Sequence, residues 1–433
     1  MSDLTKTTSS EADGADTAAV DTPPPPAVDP RLLVREEGMA GYWNDFKRRI
    51  RGGELGSLPV IIGLVLIAII FQIANSHFLS ADSLTNISVY IASTGIMAVG
   101  IVFVLLLGEI DLSVGSVAGV GAGVWGVLSV THHLNDWVAL LCALLAGLAM
   151  GALHGFFFAK VGVPAFVVTL AGFLGWSGFQ ILLMGDEGSL NVPSGSIVED
   201  LTGYFFADKA AAYGLAVVAV LAYAGSLLLE AKRRRAANLT ARPVGEIVVR
   251  TVVVAVIAFV VAYVLNEMDG SRGLPLALVV FLAILVIADF VARRTTFGRQ
   301  VFAVGGNAEA ARRAGINVAK VRIIVFALSG ALAVIGGLFT ASLQGGPTRD
   351  LGGGNTLMDV IAAAVIGGTS LFGGRGKVWS ALLGALVITS IEQGLNLLSM
   401  DSSIQYMITG AVLLAAVVID SVSRRTQKTA GRT

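Results

Sequence analysis

Twelve stretches of this chain carry no more than one charged residue each, at 59–78, 87–107, 113–131, 137–159, 164–184, 213–229, 247–265, 275–292, 321–341, 356–371, 378–398 and 404–421. A helix needs about 20 mostly apolar residues to cross ~30 Å of hydrocarbon. A backbone without water must satisfy its polar groups within its own helix. The pattern therefore predicts an all-α, polytopic membrane helix bundle of about 10–12 transmembrane helices. Composition agrees: 55% of the 433 residues are hydrophobic and 14% charged, against roughly 25% charged in soluble domains.

Charge placement orients the bundle. With the N-terminus inside, 24 of the 30 Lys and Arg fall in segments on the inner side, and only Lys209, Arg272 and Arg349 fall in outer loops. Inner loops are the ones enriched in Lys and Arg, so both termini are expected in the cytoplasm and the chain in the plasma (inner) membrane. The formal net charge is zero, which gives no sign of nucleic-acid binding. Residues 1–58 read as a disordered cytoplasmic tail, rich in Pro, Ser, Thr and Asp, with no signal-peptide pattern. The tail ends in a possible amphipathic helix built on Met39, Tyr42, Trp43, Phe46 and Ile50. Residues 59–421 are the transmembrane domain and 422–433 a cytoplasmic C-terminal tail.

Several motifs exclude chemistry. Gly121–Gly126 spells GxGxxG but lies inside an apolar run with no strand before it, and Gly376–Lys377 lacks the rest of a phosphate loop. Cys142 is single, so neither a disulfide within the chain nor a cysteine metal cluster can form. The four histidines have no metal-ligand spacing. No enzyme activity is expected, and no cofactor is expected on this chain. Gly115, Gly119 and Gly123, and likewise Gly147, Gly151 and Gly155, are spaced by four, which lets helix backbones approach closely.

The segment from Arg293 to Arg322 is polar and basic between apolar runs, and 293–320 reads as a cytoplasmic loop. Asn307 is a good N-cap, Glu309 suits the positive end of a helix, and Gly315 can take the left-handed conformation that stops one. One short capped helix is expected there, exposed to a soluble partner.

Glu309-Ala310-Ala311-Arg312-Arg313-Ala314-Gly315-Ile316 resembles the EAA loop of ABC importer permeases, whose helix docks on the ATPase subunit. Gly108-Glu109-Ile110-Asp111-Leu112-Ser113-Val114-Gly115, Val163 to Gly172 and Gly367 to Gly376 are similar to three further stretches of the permeases that import ribose, galactose and xylose. Thr295 to Asn317 and the insert from Lys232 to Asn266 resemble the D-xylose branch of that family. The resemblance covers roughly Pro59 to Arg425. Two residues depart from it: Glu109 stands where a glycine is usual, and Glu392-Gln393-Gly394 where the xylose branch has Asp-Asn-Gly.

The resemblance implies the permease subunit of an ABC importer carrying a monosaccharide, D-xylose or a similar pentose or hexose, by alternating access. Its partners would be an ABC ATPase subunit that uses the ATP, a sugar-binding protein, a second copy of the permease in a homodimer, and membrane lipids. Gly306, Asn307, Glu309, Ala310, Ala311, Arg312 and Gly315 would form the ATPase-coupling loop. Sugar hydroxyls need polar partners within the spans, and Glu109, Asp111, Ser113, Thr169, Gln393 and Asn396 are the candidates for the translocation path. The alternative is an ion-coupled secondary sugar transporter, for which Asp359 and Glu392 are the available carboxyls. Two readings of 108–115 stand open: a capped turn at the cytoplasmic surface, or a break within the membrane.

Overall fold

The apolar runs form helices, and small residues set how closely those helices pack. A computed structural model describes residues 58–237 and 241–429, all within one contact unit. The tail and the possible amphipathic helix at 39–50 lie outside the described residues. Among those described, a helix forms in each of the twelve runs, though not over the full length of every run. Nine are long and apolar enough to cross a membrane, and three are shorter.

In chain order the helices are α1 (Leu58–Ala74), α2 (Ala81–Leu106), α3 (Val114–Gly126), α4 (Asp136–Phe156), α5 (Ala165–Met184), the short α6 (Ile197–Gly203), α7 (Lys209–Ala236), α8 (Val244–Asn266) and α9 (Leu276–Arg294). Two short helices follow, α10 (Thr296–Gly306) and α11 (Ala308–Arg313). The chain continues with α12 (Val318–Gln344), α13 (Gly354–Ile366), α14 (Ser380–Leu397) and α15 (Ser402–Thr429). Wide turns of π-helix extend α3 through Thr131 and α4 through Val161.

The centre of the bundle is α2 against α12, with α3 and α4 packed on α12. Most of α2 is buried, from Ile91 through Leu106. Between helices in lipid the hydrophobic effect gives no drive, so close backbone packing has to supply the association. The glycine ladder of α4 does this: a Cβ on Gly147, Gly151 or Gly155 would run into the backbone of α12 near Gly330, Phe326 and Ile323. The second ladder, on α3, meets the backbone of Leu351 and Gly352.

One arrangement occurs twice. The long α2 is followed by the turn 107–113 and the short α3, and the long α12 by the loop 345–353 and the short α13. The helices α3 and α13 begin close together, where Gly115 and Gly352 pack backbone to backbone. They then run to opposite ends of the bundle. At 13 residues, α13 is about 20 Å long and cannot cross the hydrocarbon alone. The expected span at 356–371 is corrected accordingly, because the helix stops at Ile366 and Gly367 to Trp379 form a non-helical turn.

The pair α7 and α8 packs mainly on itself, around Leu227, Ala231 and Ile247. It is joined to the main bundle at one end by an antiparallel bridge of β1 (Phe205–Phe206) with β2 (Leu274–Pro275).

Candidate functional site

The segment between α9 and α12 holds two helices where the sequence reading expected one. α11 is the expected one: the Asn307 side chain accepts from the Ala310 N–H at 2.9 Å, Glu309 lies in the first turn, and Gly315 has φ +83°. Glu309 pairs with Arg312 at 2.9 Å and Arg313 at 3.3 Å, and all three side chains are exposed. Ala311 alone of this helix is buried. The preceding α10 was missed. Its signal was present: Thr295 caps the Gly298 N–H, and Phe297, Val301 and Val304 fall on one face.

Glycines fasten α10 to the bundle. A Cβ at Gly305 would overlap the Leu106 carbonyl, while Gly373 packs against both the Gly305 carbonyl and Gly108. Gly374 N–H donates to the Leu106 carbonyl at 2.9 Å, and the turn itself is closed by Ser370 N–H to the Arg375 carbonyl at 3.0 Å. Gly108, with φ +82°, ends the helical path of α2 as its sequence suggested. Three motif stretches far apart in sequence thus meet at the end of α10, next to α11.

The turn after Gly108 dips inward. Glu109 is half-buried, 4.0 Å from Arg322, whose guanidinium lies over the Phe158 ring at 4.2 Å. Burial pushes the Glu109 carboxyl above its ordinary value, and Arg322 partly offsets this. Two residues on, Asp111 is 3% exposed and Ser113 fully buried. Asp111 Oδ1 accepts from the Ser113 N–H at 2.9 Å and the Ser113 hydroxyl at 2.6 Å, and Oδ2 accepts from the Ser329 hydroxyl at 3.2 Å. The Ser113 hydroxyl also meets His154 Nδ1 at 3.1 Å, and Trp176 donates to His154 Nε2 at 2.8 Å. Ser329 lies eleven residues into α12, about 16 Å from its start. Asp111 and Ser113 are thus buried against α4 and α12, while Ile110 beside them is exposed. Ser113 occupies the N-cap position of α3 but makes no side-chain cap bond, because its hydroxyl is committed to Asp111.

The six path candidates fall into two groups: Glu109, Asp111, Ser113 and Thr169, whose hydroxyl lies 3.4 Å from the Ile110 carbonyl, gather at this turn, while Gln393 and Asn396 lie on α14. Thr169 bonds back to the Ala165 carbonyl of its own helix at 3.0 Å, and Gln393 reaches Ser83 at 3.3 Å. Glu109 lines a cavity of about 380 Å³ with Phe158 and Phe166 near α10. Asn396 lines a different cavity, of about 280 Å³, at the far end of the bundle. Sequence reasoning took up Asp359 and Glu392 as ion-coupling candidates without an obvious cationic partner. Both stand in the wall of that second cavity, one on α13 and one on α14. Another missed residue is Asp136, which accepts from Trp125 Nε1 at 3.2 Å and from the Ile197 N–H at 2.8 Å. The Ser196 to Glu199 capping spacing could have revealed that helix start.

Apolar helices packed through glycine, interrupted helices that start inside the bundle, a polar cavity near one end and a largely apolar one near the other define a multi-pass membrane permease. Residues 83–417 match the family model described as the branched-chain amino acid transport system / permease component, and the chain belongs to that permease family. It is 35% identical over 367 residues to the xylose transport system permease protein of Escherichia coli (strain K12), covering 84% of this chain and 92% of the relative. The xylose transport system permease protein of Haemophilus influenzae is 34% identical over 379 residues, covering 85% and 98%. The ribose import permease protein of E. coli (strain K12) is 32% identical over 362 residues, covering 83% and 91%. No solved structure matches the chain.

Proposed function

We propose that this chain is the membrane subunit of an ATP-driven importer that moves a monosaccharide, D-xylose or a similar pentose or hexose, into the cytoplasm by alternating access. The observation that carries the reading is the placement of α11: an exposed, capped helix beside a glycine junction that touches the ends of α2 and the 367–379 turn. A partner pressing on such a helix moves α2 and α13 together, because there is no free volume at Gly305 to absorb the displacement. Gly306, Asn307, Glu309, Ala310, Ala311, Arg312 and Gly315 form the coupling loop for an ATPase subunit, which holds the nucleotide; the buried Ala311 anchors the loop to the bundle and the other six present the docking surface. A sugar-binding protein delivers the substrate at the opposite end, and two copies of the permease form the pore in the plasma membrane with both termini cytoplasmic. The inner-side bias of Lys and Arg supports that orientation.

Reconstitution tests the proposal. The permease in liposomes should accumulate sugar only when the ATPase, the binding protein and ATP are all supplied. The placing of Asp359 and Glu392 in the wall of one cavity favours a second reading, ion-coupled secondary transport. Accumulation by the permease alone on a proton or sodium gradient would establish that reading and overturn the first.

A further inference from the structure

The cavity at the end of the bundle opposite α10 is walled by α2, α12, α13, α14 and the start of α15. At about 280 Å³ it lies near the lower end of the range for small-molecule sites, roughly 300 Å³. Its lining is unusual for this chain. The hydroxyls of Tyr90, Thr94 and Thr356 border it and make no hydrogen bond to other described residues. Asn396 and Gln405 bond to each other at 3.0 Å on the rim. Among the described lining residues none is basic, so nothing offsets the acidity of Asp359 and Glu392.

The two carboxyls bring acceptor oxygens to the cavity, and the three hydroxyls can each donate and accept. Polar groups within the membrane are costly unless water or a ligand satisfies them. The ligand that suits such a wall brings many hydroxyl donors and acceptors and no charge of its own. The walls are also placed to respond to events at the other end, because α13 and α14 are joined by the 367–379 turn whose Gly373 packs on Gly305.

We propose that this cavity is a binding station for a neutral, hydroxyl-rich ligand of monosaccharide size, with Asp359 and Glu392 accepting its hydroxyls and Tyr90, Thr94 and Thr356 completing its hydrogen bonds. Naming the ligand a monosaccharide rests on the importer reading; the existence of the site does not.

The test uses the full chain in nanodiscs with Cys142→Ala, carrying either Thr356→Cys or Thr94→Cys as the sole thiol. Labelling by a small methanethiosulfonate reagent is timed with D-xylose, D-ribose or D-galactose at ~100 mM, with sucrose as an osmotic control and with sodium or potassium chloride. At least one monosaccharide should slow labelling about threefold at both positions, the protection given when ligand stands at twice its Kd. Adding Asp359→Asn and Glu392→Gln, which keep the shape and remove the charge, should weaken binding about tenfold, the scale of a lost charged hydrogen bond, and leave protection of only about 1.2-fold. The proposal is overturned if no monosaccharide protects beyond sucrose, if the salts alone protect, or if neither thiol reacts under any condition. ATP-driven uptake by the complete assembly is measured in parallel. Uptake without protection sinks the cavity and leaves the importer standing, and protection without ATP-driven uptake does the reverse.

Discussion

Trp176 donates its indole N–H to His154 Nε2 at 2.8 Å, and this bond fixes the imidazole tautomer. An indole nitrogen can only donate, so Nε2 must accept and the ring proton must sit on Nδ1. From there the direction of each bond follows: Nδ1–H to the Ser113 hydroxyl, and the Ser113 hydroxyl to Asp111. A Cβ on Gly172 would occupy the place of the His154 ring, so a glycine faces the histidine across α4 and α5.

Trp176→Phe removes the donor and leaves Nε2 of a buried ring unsatisfied, at a cost of about 1–3 kcal/mol. Thermal unfolding in detergent should show the loss. Ser177→Ala, one residue on, loses only a hydroxyl bonded within its own helix and should change little. Equal melting temperatures for wild type and Trp176→Phe would show that the network contributes no stability.

Asp111→Asn keeps an oxygen for Ser113 and turns an amide toward Ser329, whose hydroxyl can accept in place of donating. It should fold with a penalty near 1 kcal/mol, whereas Asp111→Leu strands three donors and should cost several times more. Comparing the two melting curves checks this. A route-lining role instead predicts that Asp111→Asn abolishes uptake at unchanged stability.

Gly305→Ala and Gly178→Ala, the latter on α5, form a matched pair. The first places a methyl on the Leu106 carbonyl and should cost about 1–3 kcal/mol of overpacking and impair ATP-coupled uptake. The second points into open space and should behave as wild type. Uptake assays that do not separate the two would remove the glycine junction from the coupling argument.

Gly315→Pro removes the N–H that donates to the Arg312 carbonyl at 3.0 Å and forbids φ +83°. Glu309→Arg puts a positive charge in the first turn of a six-residue helix that already carries Arg312 and Arg313 in its last. The exposed pairs of Glu309 are worth little in themselves, about 0–1 kcal/mol. Glu309→Arg should therefore leave stability nearly intact while reducing co-purification of the ATPase, and Gly315→Pro should do so more severely.

Glu109 supplies a pH test. Its carboxyl is held above the ordinary 4.5 by burial, so the folded state binds its proton more tightly than the unfolded state. The resulting stabilisation is complete below about pH 4.5 and is lost as pH rises through the folded value. Glu109→Gln should consequently melt at or above the wild-type temperature at neutral pH, and the difference should shrink as pH falls. A clear drop in neutral-pH stability for Glu109→Gln would show that the Arg322 pair outweighs desolvation.

The sequence by itself determined the twelve helices, because each apolar run has only one way to satisfy its backbone in lipid, and it determined α11, because Asn307, Glu309 and Gly315 act within a single turn of chain. It also marked the glycine ladders, since spacing by four is a property of one helix. Tertiary structure decided where α13 stops, whereas α10 had a local signal in Thr295 and the apolar face of Phe297, Val301 and Val304. Gly367 to Leu371 carries no charge and reads as the end of a span, and contacts of Gly373 with Gly108 and Gly305 hold the glycine-rich stretch as a turn. Polar partners were invisible for the same reason. Asp111 and Ser329 are 218 residues apart, Asp359 and Glu392 lie on different helices, and a charge inside a span reads alike whether it is locked in a buried network or borders a cavity. Hydrophobic periodicity is local and survives in one dimension. The pairing of buried polar groups depends on which helices meet, and that is settled only when the backbones pack.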